Sequence, residues 1–293
     1  MKVYRNKKMQ QAILRTYDKL VEQWGIATEE LNIDTGYGMT HVIACGKEEN
    51  PPLLLFHGVG DDSALMWIYN AKYLSQYYRV YAVDTIGGPG KSVPGKLYNK
   101  EFDDVLWIDR ILEGLTIEKA FFAGVSHGGY LVQLYTVSRP TRVIKGISIS
   151  GALAAGKQGS HMSAMMKIFL PEALFPSKKN VKKLIQKLCG ENSAVFTGNS
   201  DIMEHYTCLL KGFNNMAMRY HKVRRLVEDE IDVVRDKITF LVGLEDPFEK
   251  LGGTAILLDN SMNATFYENA GHGLNHERAE EINAKIVDIF QSC

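Results

Sequence analysis

Apolar residues run along this chain in two rhythms. Near the N-terminus Ile13, Tyr17, Leu20, Val21 and Trp24 fall on one helical face, which predicts an amphipathic helix over 8–24. Two short β-rich runs follow, HVIAC (41–45) and PPLLLFHG (51–58). Strands and helices then alternate. SALMWIYNAKYLSQ (63–76) reads as helix, RVYAVD (79–84) as strand and FDDVLWIDRILEGL (102–115) as helix. KAFFAGV (119–125) reads as strand, HGGYLVQLYTVSR (127–139) as helix and VIKGISIS (143–150) as strand. In the helix at 102–115, Ile108, Ile111, Leu112 and Leu115 keep the i, i+3, i+4, i+7 spacing. The strands are continuous apolar runs, as expected where both faces of a sheet are covered. The predicted class is α/β, with a mostly parallel sheet and helices on both faces.

From about 152 to 236 the alternation stops. This stretch holds Met162, Met165, Met166, Met203, Met216 and Met218, six of the eleven methionines, and no convincing strand. Alternation resumes with KITFLVG (237–243), a helix around 249–259, NATFYEN (263–269) and a last helix with Ile282, Ile286, Ile289 and Phe290 on one face. The expected division is a core of 1–151 and 237–293 carrying a helical cap at 152–236. No internal repeat or low-complexity segment interrupts it.

Composition narrows the partners. Basic and acidic residues both total 34 in 293, so no global field attracts nucleic acid or an anionic surface, and a small molecule is the expected partner. The basic N-terminus lacks the continuous apolar stretch of a signal peptide, and no run reaches the length of a membrane span. Cys45, Cys189, Cys208 and Cys293 are scattered without a CxxC pair, which reads as reduced thiols in a cytosolic protein. The eight histidines contain no H-E-x-x-H or other metal-ligand spacing, and no metal or cofactor is expected. The cap has thirteen basic against nine acidic residues, and its lysines at 178–187 read as a solvated helix face. Its methionines are ordinary core material, although flexible thioethers over a site also suit apolar substrates of varied shape.

One segment changes the picture more than composition does. FFAGVSHGGYLVQL (121–134) places Ser126 on the reversal between strand and helix, within G-x-S-x-G. Such a turn strains the serine backbone, needs small neighbours because strand and helix nearly touch, and lifts the hydroxyl clear of the sheet. A glycine-rich connection with an incidental serine is the plainer alternative. The strand–turn–helix context favours a nucleophile. A serine nucleophile needs a base, and the base needs an orienting acid, in the chain order Ser, acid, His after late strands. Asp246 follows KITFLVG and His272 follows NATFYEN, in that order. Glu245 and Glu249 are rival acids and His276 a rival base; Asp246 could also simply begin a turn before Pro247. The oxyanion donors expected are the amides of His127 and of Val59, in the loop that His57 and Gly58 open and shape.

LLLFHGVG, VDTIGGPGKS, GVSHGG, VGLED and NAGHG together resemble the serine α/β-hydrolase superfamily over about 53–293. The N-terminal TYDKLVEQWGI and THVIACG extend the likeness to soluble bacterial carboxylesterases with a leading helix. The resemblance implies cleavage of small, fairly apolar esters through an acyl-enzyme. C–C bond hydrolysis, a lactonase, or a receptor or adaptor that keeps the fold are the alternatives. The superfamily's D-x-x-G-x-G-x-S here reads Asp84-Thr85-Ile86-Gly87-Gly88-Pro89-Gly90-Lys91-Ser92, one residue longer. Its ending also echoes a phosphate-binding loop. Thr85 stands at that motif's first glycine, however, and Val93-Pro94-Gly95 would break the helix it needs.

Overall fold

The apolar runs pair into one nine-stranded sheet. In this computed structural model the described residues are 2–155, 168, 169, 172, 174–248 and 253–293. The strands are β1 (Glu29–Asp34), β2 (Gly38–Cys45), β3 (Pro52–Phe56), β4 (Arg79–Val83), β5 (Val93–Pro94), β6 (Ala120–Val125), β7 (Val143–Ile149), β8 (Ile238–Gly243) and β9 (Asn263–Tyr267). Their order is β1-β2-β4-β3-β6-β7-β8-β9, with β5 on β2. β2 runs antiparallel to β1, β4 and β5, and every pairing from β4 to β9 is parallel. The α/β-hydrolase fold expected from the sequence is therefore present, mostly parallel sheet included. β1 and β5 were not anticipated. EELNID buries only Ile33, so this edge strand has no apolar alternation to read.

Helices cover both faces. α1 (Lys7–Glu22) begins at Asn6, whose side chain accepts from Met9 N, and buries Ile13, Thr16, Tyr17, Leu20 and Val21. The single helix expected over 63–76 is instead two short ones, α2 (Ser63–Met66) and α3 (Ala71–Leu74). Between them Asn70 is drawn to the C-terminal region, donating to Asn275 O at 3.0 Å and Asn283 Oδ1 at 2.8 Å, which favours a break over a continuous helix. α4 (Asp104–Gly114) and α5 (His127–Ser138) follow as expected.

Between β7 and β8 lie α6 (Lys178–Leu188), α7 (Ala194–Thr197), α8 (Ser200–Gly212), a 3₁₀ turn (Asn215–Met218) and α9 (Glu228–Lys237). α8 packs along α1, whereas α9 packs on α5, β7 and β8 as a helix of the sheet layer. α10 (Gly253–Asp259), α11 (Leu274–Glu277) and α12 (Ala279–Gln291) complete the chain.

Alternate side chains of β3 show why its run is unbroken: Leu53 and Leu55 enter the core with Trp24 and Phe290, Leu54 and Phe56 the one with Trp107 and Phe240. No helix among the described residues is long and apolar enough to cross a membrane. All four cysteines are unpaired.

Candidate active site

Ser126 sits between β6 and α5 at φ +56°, ψ −115°, a backbone conformation that costs an L-residue free energy. Its neighbours are glycines because nothing larger fits. A Cβ on Gly124 would lie 2.2 Å from the Gly128 carbonyl carbon, and one on Gly128 would lie 2.2 Å from Phe56 O. The turn is held from the side by Ser126 N donating to Ile149 O at 2.9 Å. The loop after β3 lies against it, since a Cβ on Gly58 would come within 3.4 Å of Ser126 Cβ. His127 opens α5, where the first N–H groups have no helical acceptor. Val59, two residues after His57, is 44% exposed.

His57 is fully buried and fixes that loop. Its Nε2 accepts from Thr85 N at 2.9 Å, so Nδ1 carries the proton and donates to Gly58 O at 2.8 Å. Burial pulls its pKa down, which keeps the ring neutral in this bridge between the loops after β3 and β4. The His127 ring is pushed down to about 3 by burial and by His221 and His57.

Asp246 and His272 meet beyond the ends of β8 and β9. His272 Nδ1 and Asp246 Oδ2 are 2.7 Å apart, and Asp246 Oδ1 accepts from Phe248 N at 2.9 Å. Phe248 lies against the imidazole, ring centres 4.9 Å apart. Burial lowers the His272 pKa, but the Asp246 carboxylate more than offsets it, with help from Glu277 and Asp61, and the net shift is upward. The rivals are placed differently. Glu245 is exposed, and Glu249 lies outside the described residues. His276 is buried beside Phe196 and Tyr69, with Nε2 donating to Leu65 O at 3.0 Å, and burial pushes it down to about 4.

Residues 51–195 match a family model for the alpha/beta hydrolase fold. The naproxen esterase (carboxylesterase NP) of Bacillus subtilis superposes with a TM-score of 0.82 at 25% identity, covering 98% of this chain and 99% of that one. The chain has the α/β-hydrolase fold. It resembles bacterial carboxylesterases: the carboxylesterase nap of B. subtilis strain 168 is 26% identical over 95% of this chain and 92% of its own. Carboxylesterase YbfK of the same strain is 36% identical, but that match spans about half of each protein, 48% of this chain and 47% of YbfK.

The lengthened loop after β4 is organised by Asp84. Its carboxylate accepts from Ser63 N at 3.0 Å, Lys91 N at 2.8 Å and Tyr17 Oη at 2.9 Å, and pairs with His41 Nδ1 at 2.9 Å. Lys91 Nζ binds Asp18 at 2.7 Å and Glu30 at 2.6 Å, and Val93–Pro94 pairs with β2, so the phosphate-loop reading fails for want of both a free lysine and a helix.

Two acids escaped the sequence reading. Glu277 Oε1 accepts from Gly271 N at 3.0 Å and Oε2 from Gly190 N at 2.7 Å, clasping the His272 loop to the end of α6. His272 N adds a bond to Leu188 O at 2.6 Å. Half-buried Asp61 is pushed up to about 7 by loss of solvent and by Asp62. Neither belongs to a motif; only a glutamate five residues after the histidine hinted at Glu277.

The cap residues divide. Met218 is buried with Val3, Phe213 and Ala217, Met203 packs on the main core, and Met216 is exposed. Leu174 and Phe175 are exposed, and Ile168 and Phe169 half-buried. Met162, Met165, Met166 and Leu170 lie outside the described residues. No group of three or more potential metal ligands occurs among the described residues.

Proposed function

We propose that this chain hydrolyses carboxylic esters of small, fairly apolar substrates through an acyl-enzyme on Ser126. The observation that carries the reading is the 2.7 Å His272–Asp246 contact, on loops leaving the C-terminal ends of strands parallel to the one that feeds the strained Ser126 turn. The carboxylesterase likeness supports the same chemistry. Ser126 Oγ attacks the ester carbonyl while His272 Nε2 takes its proton, and Asp246 stabilises the imidazolium formed. Amides of Val59 and His127 receive the oxyanion. His272 then protonates the departing alkoxide, and a water deprotonated by His272 releases the acid. Phe248 against His272 and Phe196 against Gly273 supply apolar walls at the site.

In this proposal the insertion between β7 and β8 forms the cap, and its pocket-covering part ends before α9, because α9 packs on the sheet. The unpaired thiols fit a cytoplasmic setting.

Ser126→Ala should abolish fluorophosphonate labelling and lower turnover of p-nitrophenyl esters by several orders of magnitude, as removal of such a nucleophile does. Labelling that survives in Ser126→Ala removes the proposal. Along an acyl series, each added methylene should favour kcat/KM by at most about 0.8 kcal/mol until the pocket fills. A flat series would discard the apolar pocket and leave the nucleophile standing.

A further inference from the structure

Outside the triad, a fully buried histidine and aspartate join three parts of the molecule. His205, on α8, places Nε2 2.8 Å from Asp62 Oδ2, and both side chains are 0% exposed. On its other side His205 Nδ1 lies 2.7 Å from Thr16 Oγ1 of α1. Asp62 closes the loop His57–Asp61 and caps α2, its Oδ1 accepting from Leu65 N at 3.1 Å. One rigid unit thus runs from α1 through α8 to a carboxylate three residues after Val59.

Stability alone does not account for such a pair. Buried ion pairs gain little net stability over apolar packing, whereas they fix one geometry when every polar atom is partnered. Here both ring nitrogens and both carboxylate oxygens have partners. The segment fixed includes Gly58, against Ser126, and Gly60 at φ +78°. A loop with glycines on both sides of Val59 has backbone freedom that must be removed if an amide is to be aimed.

We propose that His205 is a positioning residue for the oxyanion hole: held by Thr16, it anchors Asp62 and through it sets the Val59 amide toward Ser126. The inference rests on the ester-hydrolase reading and extends it, because it gives an insertion helix a part in the chemical step besides covering the pocket. The Ser63–Asp84 bond remains when His205 is changed, so α2 keeps its second anchor.

The test separates the two ring nitrogens. In His205→Gln the amide nitrogen stands where Nε2 was and keeps the Asp62 bond; in His205→Asn it stands where Nδ1 was and keeps only Thr16. His205→Asn should lower kcat on p-nitrophenyl acetate about 10- to 100-fold with KM nearly unchanged, the scale for a misaimed oxyanion donor. Affinity for a trifluoromethyl ketone, which forms the oxyanion on Ser126, should fall by the same factor. His205→Gln should retain most of both. Should His205→Asn not fold, Asp62→Ser keeps a capping oxygen but does not reach His205, and should show the same kcat loss. Equal effects in Asn and Gln variants, a loss confined to KM, or a lower melting temperature with kcat and ketone affinity intact would overturn the positioning role. Wild-type protein without Ser126-dependent labelling would overturn the hydrolase reading itself, which distinguishes the two failures.

Discussion

Two loops at the C-terminal ends of the parallel strands each carry a histidine beside glycine, His57 fully buried and His272 half-buried, and they use it in opposite ways. His57 meets only backbone: an amide on Nε2 and a carbonyl on Nδ1, with burial holding the ring neutral. His272 meets a carboxylate on Nδ1, which outweighs burial and raises its pKa. The first ring is a strut whose protons are already spent. The second has its Nδ1 fixed by an acid, which leaves Nε2 as the position for proton exchange. What separates a structural imidazole from a basic one is therefore the partner of its far nitrogen, and burial alone does not decide it.

The largest effect expected from breaking this contrast is at Asp246. Asp246→Asn removes the charge that orients His272 and should cost up to about 10⁴ in kcat, while circular dichroism and melting stay close to wild type. In wild type, kcat/KM should rise with pH as His272 loses its proton, with a midpoint above the ordinary histidine value of about 6.5. The groups facing His272 are Asp246, Glu277 and Asp61, the last with its carboxyl pushed up to about 7 by burial and by Asp62. The sign for stability is the reverse. A histidine raised in the folded state stabilises fully below its unfolded pKa, and that contribution is lost as pH rises through the folded value. Activity and ion-pair stability should thus cross within one pH window. Residual turnover in Asp246→Asn should follow a midpoint shifted to lower pH. An unshifted midpoint would show that another group controls the limb.

Next in size is Glu277, which acts on the same loop from behind. Glu277→Gln keeps one acceptor for the Gly271 and Gly190 amides and removes a charge that raises His272. We expect roughly a 10-fold loss of kcat, within the range for displaced catalytic groups, and a small downward shift of the pH midpoint. A kcat loss with no midpoint shift would leave Glu277 as a clasp without electrostatic reach.

The contrast also explains what the chain disclosed. The placement of Ser126, Asp246 and His272 on their turns, and the meeting of the last two, was legible because each follows an apolar strand; the crowding at Gly124, Gly128 and Gly271, which leaves no room for a side chain, keeps those turns tight. The parallel sheet was legible from runs buried on both faces. Less local features were not. β1 hides in a polar edge sequence, and the break at Asn70 depends on Asn275 and Asn283, more than two hundred residues away in the chain. The His205–Asp62 pair has no signature at all, and Glu277 only its place five residues after His272, because their roles arise only where separate segments meet. The packing of α9 on the sheet was likewise invisible in its charged sequence, EDEIDVVRDK, where Val234 alone is buried.

His57 should show a smaller, different kind of loss. His57→Phe fills the space but leaves Thr85 N–H and Gly58 C=O without partners, at a cost of about 1–3 kcal/mol in stability. Because the loop proposed to hold the oxyanion loses a strut, kcat should drop modestly, while the pH midpoint stays at the wild-type value. A displaced midpoint would make His57 part of the proton chemistry and erase the distinction between the two loops.

The smallest effect tests the rule inside the His272 loop itself. His276 lies four residues further on, is more deeply buried, and has no acid: its Nδ1 is without a hydrogen-bond partner among the described residues and its pKa is pushed to about 4. His276→Phe gives up the bond to Leu65 O, about 1 kcal/mol, but also relieves a buried, unpartnered nitrogen, and these oppose each other. Tyr69 and Phe196, which already flank the ring, would pack equally well on phenylalanine. The net change in stability should stay within about 1 kcal/mol, with kcat and the pH midpoint unchanged. Urea denaturation and one pH–rate series measure both. If His276→Phe removes the acidic limb while Asp246→Asn leaves it in place, the base has been assigned to the wrong histidine.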